Sequence, residues 1–80
     1  MTNEKEEQAF LEAQLQWVKQ RDDLLAQVEE KLYEMKHIAE QVALDDTSML
    51  ENQKLRLNER FLQLKNEVAE LENQLRIFYN

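Results

Sequence analysis

Two rows of apolar residues, each repeating every seven positions, run through this chain out of phase with one another. In the second half the row is Leu50, Leu57, Leu64, Leu71 and Phe78, interleaved with Phe61, Val68 and Leu75. In the first half it is Leu11, Val18, Leu25, Leu32 and Ala39, with Val28, Met35 and Val42 three residues after its later members. A seven-residue repeat places a narrow apolar seam along a helix, and such a seam needs a facing helix to cover it. Continuing the first row by sevens reaches Asp46, Gln53 and Arg60, all polar, so the phase changes between Ala39 and Leu50.

A turn near Asp46 accounts for the change. Folding back there sets Val42 on Leu50, Met35 on Leu57 and Val28 on Leu64. It also sets Leu32 on Phe61, Leu25 on Val68 and Val18 on Leu75, and the position numbers of each pair total 92 or 93. A constant total is what an antiparallel pair requires. The alternative is a four-residue stutter in one continuous parallel coiled coil. The expected fold is therefore all-α: a single antiparallel two-helix coiled-coil hairpin, with helix 1 about 3–44, a turn about 45–48 and helix 2 about 49–78.

The chain contains no Gly and no Pro, so nothing inside either helix breaks it. Thr2 or Asn3 is placed to cap helix 1, with Glu4, Glu6 and Glu7 at its positive end. Asp45-Asp46-Thr47-Ser48 carries side chains that compete for backbone hydrogen bonds, and Ser48 with Glu51 reads as a capping box. Glu72 and Arg76 are spaced for an i,i+4 ion pair.

Two helices with one seam do not use all the apolar residues. Phe10, Trp17, Leu24 and Ile38 stand one position off the first row, and Leu55, Leu62 and Ala69 lie well round helix 2. Wide apolar faces belong to bundles, so the surplus predicts that two hairpins dimerise into a four-helix bundle. Ile77, Phe78 and Tyr79 gather with Trp17 at the open end, with Gln14 and Leu15 nearby. The expected surface for self-association or partner binding is thus Phe10, Trp17, Leu24, Leu55, Leu62, Ala69, Ile77, Phe78 and Tyr79. Gln14, Arg21 and Lys54 fall on the expected seam, Arg21 facing Leu71 and Lys54 facing Ala39. The Lys54 stem is expected to lie on apolar surface beside the small Ala39, while for Arg21 that role and the selection of register both stay open.

Chemistry is sparse. Phosphate loops, nucleophile elbows and dinucleotide fingerprints need Gly, and thiol chemistry needs Cys; the chain has neither. His37 is the only His. With Glu34 it forms one Glu-x-x-His, the spacing used in di-metal bundles, but Leu32 and Met35 occupy the neighbouring core positions, and a solvated His is the simpler reading. The acidic run at 45–48 lacks the alternating ligands and Gly of a calcium loop. No enzyme activity, cofactor or metal is expected.

The formal net charge is −7, and residues 1–46 carry all of it, with 12 acidic and 5 basic side chains against 5 and 5 in the rest. That disfavours direct contact with nucleic acid or anionic membranes. It also keeps open an acidic DNA-mimic inhibitor as an alternative, beside a structural spacer built from the continuous coiled coil. The N-terminus has no basic-then-apolar signal pattern, and the missing Cys fits a reducing, cytoplasmic setting. The expected role is that of a non-enzymatic protein–protein interaction module, a small adaptor or regulator with a homodimeric form and an unidentified protein partner.

Overall fold

The computed structural model describes residues 3–44 and 50–79. Helix α1 spans Glu4–Leu44, α2 spans Glu51–Leu75, and a 3-10 turn, η1, continues it over Arg76–Phe78. The two helices pack against each other along an elongated body of 72 × 17 × 16 Å. The continuous coiled coil does not form, and among the described residues there is no strand. The radius of gyration is 20.0 Å, well above the ~12 Å of a compact domain of this length.

Asn3 caps α1: its Oδ1 accepts a hydrogen bond from the Lys5 amide at 3.1 Å, and its carbonyl accepts from the Glu7 amide at 3.1 Å. At the start of α2, Leu50 is extended, and the Gln53 side chain accepts a hydrogen bond from the Leu50 amide at 3.3 Å. A capping contribution thus comes from Gln53. The capping residue read from the sequence, Ser48, and the acidic run before it lie outside the described residues. At the far end the Arg76 amide bonds to the carbonyls of both Glu72 and Asn73, which tightens the last turn to 3-10 geometry. Side chains four apart no longer stack in such a turn, and among the described residues no ion pair joins Glu72 to Arg76.

The seam on α2 follows the expected row from Leu57 onward; Leu50, expected to meet Val42, is 65% exposed, and Val42 is exposed as well. Leu64, Val68, Leu71, Leu75 and Phe78 are buried, and Leu57 and Phe61 are partly buried. On α1 the phase differs from expectation. Ile38 is 7% exposed, whereas Leu32 is 48% and Leu11 63% exposed. Leu24, Val28, Lys31 and Met35 are partly buried, and Trp17 packs on Phe78 with ring centroids 5.0 Å apart. The inward row is therefore Trp17, Leu24, Lys31 and Ile38, rotated by one position from the Leu11–Ala39 row. Burial is also lopsided: of the six buried side chains among the described residues, five belong to η1 and to the half of α2 that leads into it, and Ile38 is the one on α1.

Among the described residues, Trp17–Phe78, Lys31–Glu67 and Glu34–Arg60 join the two helices along the margins of the seam, with position totals of 95, 98 and 94. Long flanking side chains reach diagonally, so these totals run slightly above the 92 or 93 expected of the seam pairs themselves.

Candidate interaction surface

Because α2 and η1 end where Phe78 meets Trp17, the first turns of α1 extend past them. Phe10, Leu11 and Leu15 on this overhang are exposed. Phe10, Ala13, Gln14, Trp17 and Val18, all on α1, line an open notch of about 430 Å3. The Arg21 guanidinium lies over the indole, 5.7 Å from its centroid, and its Nη2 is 3.3 Å from Asp22 Oδ1. The Arg21 Nε is buried without a hydrogen-bond partner. Arg21 thus stacks on Trp17, one end of its head group meeting a carboxylate at the surface. Lys54 is partly buried.

The two long edges of the hairpin differ in chemistry. On one, Lys31 Nζ lies 3.2 Å from Glu67 Oε2. On the same edge Arg60 reaches Glu34 with two prongs, Nε at 3.0 Å from Oε2 and Nη2 at 3.3 Å from Oε1. At about 100° per residue, Leu25 and Leu32 fall on the opposite side of the α1 seam from Lys31 and Glu34. That edge carries the row Leu11, Val18, Leu25, Leu32 and Ala39. Val18 is partly buried and the other four are exposed, Leu25 marginally at 36%.

The nine residues expected to form a binding surface separate into three groups. Trp17 and Phe78 contact each other within the chain, and Leu24 is partly buried in the seam. Leu55 and Leu62, 59% and 49% exposed, form an outward row on α2 with exposed Ala69. Phe10 stands on the overhang, while Ile77 and Tyr79 are exposed at the open end. The row Leu11, Leu25 and Leu32, assigned to the seam by periodicity, was missed as a surface. Exposure alone shows it, since the two rows of α1 differ by a single position.

Glu34, half of the Glu-x-x-His spacing, is engaged by Arg60, and His37 lies parallel to the Tyr33 ring at 6.5 Å. Among the described residues no group of three or more His, Asp or Glu side chains is arranged to hold a metal ion. Among the same residues no helix is long and apolar enough to cross a membrane. No protein-family model, curated protein or solved structure matches the chain.

Proposed function

We propose that the protein is a non-enzymatic interaction module of the cytoplasm, a small helical adaptor or regulator that pairs with a second copy into a four-helix bundle and binds another protein. The observation that supports this reading is the excess of exposed over buried apolar side chains. Among the described residues thirteen large hydrophobic side chains are exposed and six hydrophobic side chains are buried. Each exposed Leu or Phe represents ~1.5–3 kcal/mol of burial not yet made, and continuous exposed rows mark contact surfaces. The Leu55–Leu62 row has the seven-residue spacing that receives the apolar stripe of a partner helix.

Sedimentation and affinity capture test the two halves of the proposal. The unmodified protein sediments as a dimer in the micromolar range; a monomer at high micromolar concentration refutes self-association. Capture from the native cell is compared between the unmodified chain and Leu55→Glu/Leu62→Glu. A partner held by the first and released by the second, with helix content unchanged, supports the adaptor role. A partner held equally by both removes the α2 row from it.

A further inference from the structure

Five positions of α1 point along one edge at seven-residue intervals: Leu11, Val18, Leu25, Leu32 and Ala39. The row is symmetric about Leu25, one residue from the centre of the Glu4–Leu44 helix. A second α1 running antiparallel meets it in register, Leu25 on Leu25, Val18 on Leu32 and Leu11 on Ala39. A row with this property is self-complementary, as a two-fold interface demands. We infer that the α1 edge is the self-association surface and that its occupant is a second copy of this chain, turned end for end about an axis beside Leu25. This rests on the self-association proposed above and specifies its face and register.

Three observations point to a second copy on this edge. Leu11 is 63% exposed, on turns of α1 that α2 and η1 do not reach. The opposite edge is closed by the Lys31–Glu67 and Glu34–Arg60 ion pairs, so of the two edges of the α1 seam this one carries the exposed apolar row. The area suffices: α1, 41 residues long, presents a side of about 61 by 10 Å, or about 610 Å2 in flat projection. Covering it on both copies removes about 1,200 Å2, at the lower end of the range for specific interfaces.

The pairing carries one unfavourable contact, which makes it easier to test. It brings Glu29 of each copy level with Asp22 of the other on the solvent-facing rim. Reversing that charge by Glu29→Lys therefore tightens the dimer, by roughly two- to tenfold for a pair of surface contacts. A surface unrelated to Glu29 shows no gain.

The native chain has no Cys, so single-Cys variants give unique spin labels. Exposed positions off the row leave the interface intact: Glu12, Lys19, Ala26 and Glu40. Along the axis, equivalent labels in two copies stand ~3 Å apart at position 26, ~18 Å at 19, ~39 Å at 12 and ~45 Å at 40, at ~1.5 Å per residue. Dipolar distances that widen in this order on both sides of position 26 establish the register. Short distances at every position show parallel copies and overturn it. A short distance at 12 with a long one at 40 shows contact through the overhangs alone and also overturns it. Sedimentation of the labelled samples separates the two levels of the argument. A dimer with the wrong distances removes only this register, whereas a monomer removes self-association altogether.

Discussion

Leu64 is the most deeply buried side chain described, at 1% exposure, and Leu64→Ala tests the seam directly. The change removes three carbon atoms, at ~0.8 kcal/mol each, or about 2.4 kcal/mol of transfer energy. The cavity left behind adds to this, and core Leu→Ala changes span ~2–5 kcal/mol. The seam is one side-chain layer between two helices, open at both edges, so neighbours collapse into the gap more readily than in a deep core. That puts the expected loss at about 2.5–3.5 kcal/mol, in the lower half of the range. At ~0.05–0.15 kcal/mol per residue the whole chain holds only about 4–12 kcal/mol. Gln63→Ala is the control: Gln63 is exposed beside Leu64, and such a change stays within about ±0.5 kcal/mol. Urea unfolding followed by circular dichroism, at matched protein concentration because association adds to apparent stability, reads both. Equal losses in the two variants would refute the assignment of the α2 seam.

The ion-paired edge and the open end yield two further expectations. Lys31→Glu sets two carboxylates together across the seam and costs about 0.5–1 kcal/mol, the pair being about one-third exposed and so partly screened; adding Glu67→Lys restores the loss in a double-mutant cycle, and no restoration means that the two side chains do not meet. Phe78→Ala uncovers Trp17, the single Trp, so its fluorescence emission moves to longer wavelength while helix content holds; unchanged emission contradicts the Trp17–Phe78 contact.

Periodicity was enough to read the seam of α2, because Leu57, Leu64, Leu71 and Phe78 meet no competing row of similar strength. On α1 two rows run one position apart, and the inward one is broken by Lys31. An unbroken row of Leu, Val and Ala looked like the better seam. What periodicity does not weigh is that Lys31 can lie on the seam when Glu67 waits at its edge, 3.2 Å from its Nζ. The interaction surface was legible only as surplus. Sorting that surplus into seam, edge and overhang needed the rotation of α1, which depends on tertiary packing and not on spacing.

The lopsided burial has a kinetic consequence. Among the described residues those nearest the connection bury little, Val42 and Leu50 both being exposed, whereas Leu64, Val68, Leu71, Leu75 and Phe78 bury most and lie far from it. Bringing Lys31 to Glu67 closes a loop of 36 residues. Relative to the first contacts beside the connection, that costs about 1.5 kcal/mol more in chain entropy. Zipping from the turn therefore runs uphill before the apolar reward arrives, and the barrier to folding is set by the first meeting of the two distant halves. Once formed, the hairpin opens most cheaply at its tip, next to its own connection. Amide hydrogens of Met35–Val42 then exchange ahead of those of Val18–Val28, so the softer end is the one beside the connection and the firmer one is where Trp17 meets Phe78.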